Sequence, residues 1–204
     1  MFIKRSLSML QNRSVPDVRR KREEWKSHML GSGADNLVFL DESGINIDMT
    51  RHYARAKTDE RAVDSAPLNT PRNTTILSSI RLDGRTAHTI YQGGTTAERF
   101  AGYLRDTLLP TLSKNDIIVM DNMSSHHART VKDILDASGI RYFYLPPYSP
   151  DLNPIEKMWS KIKAYLRKEK VRIASSLPDA VEKAFSTITI SDCLGWFRSC
   201  NYVR

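Results

Sequence analysis

The sequence is poor in cysteine and has no long apolar run, and each absence excludes a class of protein. Only two of the 204 residues are cysteines, Cys193 and Cys200, so a disulfide-rich scaffold is excluded, and no C-x-x-C pair indicates a zinc site. No segment approaches the roughly 20 consecutive apolar residues of a membrane-spanning helix. The first ten residues are basic and mildly apolar but are not followed by a signal-peptide cleavage pattern. We therefore expect a reduced, cytoplasmic protein.

Positive charge is in excess and is concentrated in two segments. The chain has 31 Lys and Arg against 23 Asp and Glu, a formal net charge of +8. Basic residues cluster in residues 19–26 and again in residues 161–172. Such an excess favours binding of a polyanion, because each neutralised phosphate releases counterions. A merely soluble basic protein would have the same composition, so charge alone leaves both interpretations open.

The order of the predicted elements indicates an α/β fold with a mixed sheet covered by helices. Apolar runs at residues 37–40, 117–120 and 140–145 predict strands. Asp83–Gly84 predicts a hairpin between two further β-rich runs. Predicted helices lie within residues 1–36 and over residues 95–112, 126–139, 155–168 and 177–188. Thr96 is the expected N-terminal cap of one helix, and Gly139 the expected end of another.

Three acidic residues stand where predicted strands end or where a helix begins. Asp41 and Asp121 each follow an apolar run, and Glu156 follows a loop that contains four prolines. Ligands of open α/β sheets bind at the carboxyl ends of the strands, so these acids are expected to meet, although 80 and then 35 positions separate them. Prolines restrict φ and the conformation of the preceding residue, so the loop would hold Glu156 in place.

Together, the three acids predict a divalent metal site. Clustered carboxylates repel one another, so they require a bound cation or a raised pKa. Oxygen ligands without cysteine favour Mg²⁺ or Mn²⁺, and two such ions can support an in-line attack on phosphorus. Asp41, Asp121 and Glu156 would then be both metal ligands and catalytic residues. Singly, the two aspartates could be turn residues, and Glu156 could complete a capping box that begins at Asn153.

The chain resembles the catalytic domains of DDE transposases of the mariner superfamily, most closely their bacterial insertion-sequence branch. Three segments carry the resemblance: FLDESG at residues 39–44, VMDNMSSHHA at residues 119–128 and LPPYSPDLNPIEKMWSKIK at residues 145–163. The 34 residues between Asp121 and Glu156, in an Asp–Asp–Glu order, are similar to the signature of this superfamily. The resemblance extends over about residues 36–170.

The resemblance implies an RNase H-like fold, in which an antiparallel hairpin precedes parallel strands and helices flank the sheet. It implies two Mg²⁺ or Mn²⁺ ions, cleavage of double-stranded DNA at element ends, and transfer of the freed 3′-OH into target DNA, typically at TA sites. A homodimer on DNA in a bacterial cytoplasm, associated with the nucleoid during the reaction, is also implied. The alternatives are a decayed, non-catalytic DNA-binding remnant and a simple RNase H-like nuclease.

The predicted organisation has three parts: a helical extension or linker over residues 1–36, a catalytic domain over residues 37–170, and a helical tail over residues 171–204. Members of this superfamily commonly carry helix-turn-helix domains before the catalytic domain. About 36 residues are too few for a paired module of that kind. We therefore expect an upstream helix-turn-helix protein or a frameshift partner to supply recognition of element ends, and activity of this chain alone stays open.

Several residues near the three acids are candidates for contacts with DNA. These candidates are His126, His127, Lys157, Lys161 and Lys163. A polar pair at a helix start and a solvated helix face are the ordinary interpretations of the same histidines and lysines. Asn122 is predicted to orient Asp121 through a hydrogen bond. Glu42 is expected to point outward from its strand, and Trp159 to pack in the core.

Overall fold

The computed structural model describes residues 15–29, 33–50, 57–61, 63 and 73–203, so residues 1–14 and 30–32 of the predicted extension lie outside the described part. The strands of the described part are β1 (Leu37–Ile45), β2 (Thr74–Ile80), β3 (Thr86–Gln92), β4 (Ile117–Met120) and β5 (Arg141–Tyr144). Its α-helices are α1 (Pro16–Met29), α2 (Ala97–Tyr103), α3 (Arg129–Ser138), α4 (Ile155–Glu169), α5 (Leu177–Phe185) and α6 (Ile190–Ser199). In these residues, no helix is both long enough and apolar enough to cross a membrane.

The five strands form one mixed sheet in the order β3-β2-β1-β4-β5. The β1–β2 and β2–β3 pairs are antiparallel, whereas β4 runs parallel to both β1 and β5. The turn between β2 and β3 contains Gly84 with a φ of +87°, a conformation that glycine adopts readily. The mixed sheet and the hairpin at Asp83–Gly84 are therefore confirmed.

Strand β1 continues past the point where the sequence predicts its end. The apolar run stops at Leu40, but β1 extends to Ile45, because its other edge stays paired with β2. The parallel pairing with β4 ends at Leu40 and Met120. Asp41 therefore lies within β1, one residue past the last parallel pair, and Asp121 directly follows β4. The pairing register thus places the two acids side by side at the same end of the parallel strands.

Helices cover both faces of the sheet, and the alternation of side chains along β1 assigns each residue to one layer. Leu37 and Phe39 pack in the layer with α1, α4, α5 and α6, whereas Val38 and Leu40 pack in the layer with α2 and α3. Trp25 of α1 is buried in the first of these layers. The helices before β1 and after α4 therefore share the hydrophobic core of the sheet.

The helix predicted over residues 95–112 is interrupted. Thr96 caps α2 as expected and accepts a hydrogen bond from a backbone N–H, but the chain passes into a π-helical segment at Leu104–Leu108 and then into a 3-10 turn. Pro110 lies in that turn, and its missing N–H prevents a regular continuation of the α-helix. Gly139 ends α3 with a φ of +68°, as predicted.

Candidate active site

Asp41, Asp121 and Glu156 line a single cleft at the carboxyl end of the parallel strands. Asp41 lies in β1, Asp121 follows β4, and Glu156 lies in the first turn of α4. The cleft has a volume of about 320 Å³, and one of its walls is the segment of residues 145–154, the proline-rich loop. The fold therefore brings together three acids that are far apart in the sequence.

The proline-rich loop is anchored to α1 by a charged residue. Two guanidinium nitrogens of Arg22 donate to the carboxylate oxygens of Asp151, at 3.2 and 2.7 Å. The same guanidinium group donates to the hydroxyl of Ser149, which in turn lines the cleft. Because the loop leads directly into α4, this anchor also limits the positions that Glu156 can take.

A second anchor of the proline-rich loop comes from the end of the chain. The hydroxyl of Tyr202 donates to the carbonyl of Leu152 at 2.7 Å and accepts from the indole N–H of Trp25 at 3.0 Å. Within the loop, Tyr148 has a φ of +56°, a left-handed conformation that is uncommon for a residue other than glycine. Strained conformations of this kind persist only where surrounding contacts hold them. The contacts from α1 and Tyr202 provide that support.

Helix α4 begins without the capping box that the sequence suggests. The N–H of Glu156 donates to the backbone carbonyl of Asn153 at 3.3 Å, not to its side chain. The amide Oδ1 of Asn153 is buried and has no hydrogen-bond partner among the described residues. The carboxylate of Glu156 is exposed in the cleft. The capping interpretation of Glu156 is therefore wrong, and its carboxylate faces the other two acids.

The carboxylate of Asp41 lies in surroundings that oppose its ionisation. Burial, followed by repulsion from Glu156, Asp121 and Glu42, raises the pKa of Asp41 well above its ordinary value. Its Oδ1 accepts a hydrogen bond from the backbone N–H of Glu42 at 2.8 Å. The acids of the cleft thus interact strongly enough that a bound cation would relieve their repulsion.

Trp159 has a role at the cleft in addition to the packing role that the sequence predicts. It is buried and packs edge-on against Phe185, with 6.4 Å between the ring centroids. Its indole N–H also donates to Oδ2 of Asp41 at 3.3 Å. Because Trp159 lies three residues after Glu156, α4 provides both an acid and a hydrogen-bond donor to the cleft. Its position on the helix was the only sequence signal for this contact.

The imidazole of His126 bridges two carboxylates behind the cleft. Its Nδ1 lies 2.9 Å from Oδ1 of Asp121, and its Nε2 lies 3.0 Å from Oε1 of Glu42. Burial acts to lower the pKa of His126, but hydrogen bonds to Asp121 and Glu42 raise it to about 10. The ring is fully buried, so the predicted contact of His126 with DNA is wrong. Glu42 points inward, toward this ring, and not outward as predicted.

Asn122 and His127 contact each other beside the cleft. Nε2 of His127 is hydrogen-bonded to Oδ1 of Asn122. The predicted role of Asn122 in orienting Asp121 is therefore wrong, since Oδ1 of Asp121 accepts instead from the backbone N–H of Met123, at 3.1 Å, and contacts His126. His127 is exposed, and its predicted contact with DNA stays a prediction.

Lys161 joins α4 to α6. Its ammonium group donates to the carbonyl of Thr187 at 2.8 Å and to the carboxylate of Asp192 in the first turn of α6. The hydrogen bond from Lys161, followed by that from Thr189, lowers the pKa of Asp192 to about 2. Lys161 therefore stabilises the packing of two helices, which does not fit its predicted contact with DNA.

The other two lysines of α4 remain candidates for DNA contacts. The ammonium group of Lys157 lies 3.6 Å from the thiol of Cys200, and Lys163 is half-buried. Burial and then Arg167 lower the pKa of Lys163, against the attraction of Glu156. Lys163 is thus within electrostatic reach of the cleft.

The donors in the cleft suit a hard divalent cation. Its charged ligands are carboxylates, and oxygen donors of this kind favour Mg²⁺ or Mn²⁺. Glu42, Asp121 and His126 also offer ligand atoms within 4.8 Å of one another. Both ring nitrogens of His126 already face carboxylates, however, so this group forms an internal ion cluster. Asp41, Asp121 and Glu156, which line the cleft itself, are the other carboxylates available to a metal.

The fold is similar to that of solved transposases. It aligns with a pre-cleavage Mos1 transpososome over 98% of this chain and 62% of the other, with a TM-score of 0.79 and 17% identity. The Mos1 mariner paired-end complex with Mn aligns over 91% and 60% of the two chains, with a TM-score of 0.74 and 18% identity. The catalytic domain of Mos1 mariner transposase aligns over 92% and 88%, with a TM-score of 0.68 and 17% identity.

These alignments confirm the predicted RNase H-like fold. This chain spans less than two thirds of the length of the transposase chains in the Mos1 complexes. No curated protein matches the sequence. The protein-family model for DDE superfamily endonucleases, however, matches residues 36–177. This range is well over half of the chain and includes all three cleft acids. The chain therefore belongs to the DDE superfamily endonuclease family.

Proposed function

We propose that this chain is the catalytic domain of a transposase, which cleaves DNA at the ends of a mobile element and joins the freed 3′-OH to target DNA at TA sites. The observation that carries the proposal is the convergence of Asp41, Asp121 and Glu156 in one cleft of a DDE superfamily endonuclease. Similar structures include a Mos1 paired-end complex with a transposon end and a Mos1 strand transfer complex, which supports DNA as the substrate.

Two Mg²⁺ or Mn²⁺ ions are the proposed cofactors, with Asp41, Asp121 and Glu156 as their ligands. When bound, two such ions activate the attacking oxygen and stabilise the leaving oxygen of an in-line displacement at phosphorus. The carboxylate oxygens of the cleft and the raised pKa of Asp41 support this assignment. Mos1 structures with Mn and with Mg support the choice of ions.

The remaining residues of the cleft hold these acids in position. The backbone N–H of Glu42 and the indole of Trp159 each donate to one oxygen of Asp41. The proline-rich loop restricts the approach to Glu156, and Pro146 and Pro147 give this wall of the cleft an apolar surface. Positions fixed in this way reduce the reorganisation that the reaction requires.

The same proposal covers the partners and the organisation of the protein. Residues 37–170 are the proposed catalytic domain, and a homodimer on double-stranded DNA would hold two element ends. The net charge of +8 supports DNA binding, and His127, Lys157 and Lys163 are the proposed contacts. An upstream helix-turn-helix protein or frameshift partner would recognise the ends. Membership of the bacterial insertion-sequence branch and a cytoplasmic location belong to the proposal as well.

The test uses two DNA substrates with purified protein and Mn²⁺ or Mg²⁺. A supercoiled plasmid that contains TA sites reports nicking without end recognition, and labelled duplexes from the sequences that flank the gene report cleavage and joining. Asp121→Asn keeps the shape of the side chain and removes its charge. Asp133→Asn is the matched control, because Asp133 is exposed on α3, away from the cleft.

We expect metal-dependent nicking by the wild-type protein and the Asp133→Asn variant, and none by Asp121→Asn. Joined products from the flanking duplexes would establish strand transfer. Cutting without joining, with any partner protein supplied, would favour a simple nuclease. DNA binding without nicking would favour the non-catalytic remnant and refute the proposal.

A further inference from the structure

We propose that His126 is a positioning residue, which fixes the carboxylate of Asp121 for metal binding by tying it to Glu42 on β1. The inference rests on the proposed function, because it assigns a purpose to the orientation of Asp121 in the metal site. It extends the proposed site to His126 and Glu42, which lie behind the cleft and are not among the three acids. His126, Glu42 and Asp121 are called the histidine clamp below.

The contacts of the histidine clamp use both nitrogens of one ring. Nδ1 of His126 lies 2.9 Å from Oδ1 of Asp121 and 3.3 Å from the backbone carbonyl oxygen of the same residue. Nε2 lies 3.0 Å from Oε1 of Glu42. One ring therefore contacts Asp121 on one side and Glu42 on the other, and both contacts are enclosed by protein.

The ring itself is held on several sides. It is fully buried and stacks on Phe100 of α2, with 4.1 Å between the ring centroids and 27° between the ring planes. The backbone N–H of His126 donates to the carbonyl of Met123 at 3.1 Å, and its carbonyl accepts from the hydroxyl of Tyr144 at 3.0 Å. A side chain packed in this way has little freedom to rotate, so it can impose a position on the group that it bonds.

The clamp acts on one oxygen of Asp121. Oδ1 faces Nδ1 of His126 and also accepts the backbone N–H of Met123 at 3.1 Å. These two contacts on one oxygen, together with the contact of Nδ1 with the backbone carbonyl of Asp121, restrict the rotation of the carboxylate. Among the described residues, no hydrogen bond to Oδ2 is observed, and Asp121 lines the cleft. Oδ2 is therefore the oxygen that remains for a metal ion.

Glu42 gives the clamp a fixed point on the sheet. The parallel pairing of β1 and β4 ends at Leu40 and Met120, so Asp121 lies just past the last paired residues. Glu42 belongs to β1 and pairs with β2, and its side chain reaches His126 across the end of β4. Oε2 of Glu42 is buried and has no hydrogen-bond partner among the described residues, so this carboxylate depends on His126. The clamp thus adds a side-chain link between β1 and the end of β4 beside the cleft.

Two isosteric variants of His126 separate positioning from simple packing. The side-chain amide nitrogen of His126→Asn can occupy the place of Nδ1 and donate to Asp121, whereas that of His126→Gln can occupy the place of Nε2 and donate to Glu42. Both variants lose the ring, so both lose the stacking on Phe100. Mn²⁺ affinity is measured by the loss of the electron paramagnetic resonance signal of free Mn²⁺, and plasmid nicking is the second readout.

We expect His126→Gln to bind Mn²⁺ about 10- to 100-fold more weakly than the wild type, the usual effect of removing a partner that orients a metal ligand. His126→Asn should stay within about threefold of the wild type, because it keeps the bond to the ligand. Equal losses in the two variants, in proportion to their melting temperatures, would overturn the clamp and leave the metal site intact. Absence of Mn²⁺ binding in the wild type would refute the proposed function and the clamp together.

A measurement on the wild-type protein keeps the proposal testable if the variants do not fold. The ¹⁵N chemical shifts of the His126 ring report the contacts of each nitrogen. We expect the Nε2 signal to change in Glu42→Gln and the Nδ1 signal to change in Asp121→Asn, because each nitrogen contacts a different carboxylate. Ring signals that neither variant changes would overturn the clamp.

Discussion

The ion pair between Arg22 of α1 and Asp151 of the proline-rich loop is expected to stabilise the cleft wall by a measurable amount. The exposed fractions of the two side chains are 15% and 38%, and the two hydrogen bonds measure 3.2 and 2.7 Å. A charge-assisted hydrogen bond contributes about 1.5–3 kcal/mol, whereas an exposed ion pair contributes at most about 1 kcal/mol. Because more than a third of Asp151 is exposed, the coupling energy should lie between these ranges, at about 1–1.5 kcal/mol.

A double-mutant cycle measures this coupling. Arg22→Met, Asp151→Asn and the double variant are compared by urea unfolding. Arg22→Met should cost about 2 kcal/mol, more than Asp151→Asn, because Arg22 also bonds Ser149. The double variant should cost less than the sum of the two single variants, by the coupling energy of about 1–1.5 kcal/mol.

The same variants connect the anchor of the loop to catalysis. Since the proline-rich loop leads into Glu156, a loosened loop should lower the rate of Mn²⁺-dependent nicking by about tenfold, and misplacements near 1 Å can cost more. Arg20→Met is the control, because Arg20 forms an exposed pair with Asp17 on the same helix. Additive free energies in the cycle, together with wild-type nicking by Arg22→Met, would refute the reasoning.

Three further results are expected. Trp159→Phe keeps an aromatic ring but loses the hydrogen bond to Asp41, so calorimetry should detect about tenfold weaker Mn²⁺ binding; unchanged affinity would exclude a role of the indole. Lys161→Met should lower the free energy of unfolding by about 1 kcal/mol near neutral pH. The pKa of Asp192 is lowered to about 2 in the folded protein, so this difference should shrink as the pH falls from about 4 to 2; a difference independent of pH would contradict the ion pair. Chelation by EDTA should abolish nicking, and excess Mg²⁺ should restore it, whereas nicking in EDTA would exclude the metal mechanism.

Local chemistry made much of the fold predictable. The apolar runs before Asp41 and Asp121, the Asp83–Gly84 turn and the cap at Thr96 each depend on residues within a few positions of one another. The same patterns indicated that two acids end up at one edge of the sheet. These patterns predicted one continuous helix over residues 95–112, whereas the α-helix is interrupted and Pro110 lies in a 3-10 turn. They also predicted the end of β1 too early, because the pairing of β1 with β2 is not visible in the apolar run.

The sequence by itself determined the kind of sheet, the three acids and the preference for a hard metal ion, since these follow from residue types and short-range spacing. The tertiary structure alone decided which polar side chains support those acids. His126 and Lys161 have the residue types of DNA contacts, yet burial against Phe100 and pairing with Asp192 give them internal partners. The partners of Asp41 and Asp151 lie 118 and 129 positions away, in α4 and α1. Contacts over such separations depend on how the layers pack, and no local pattern in the sequence encodes them.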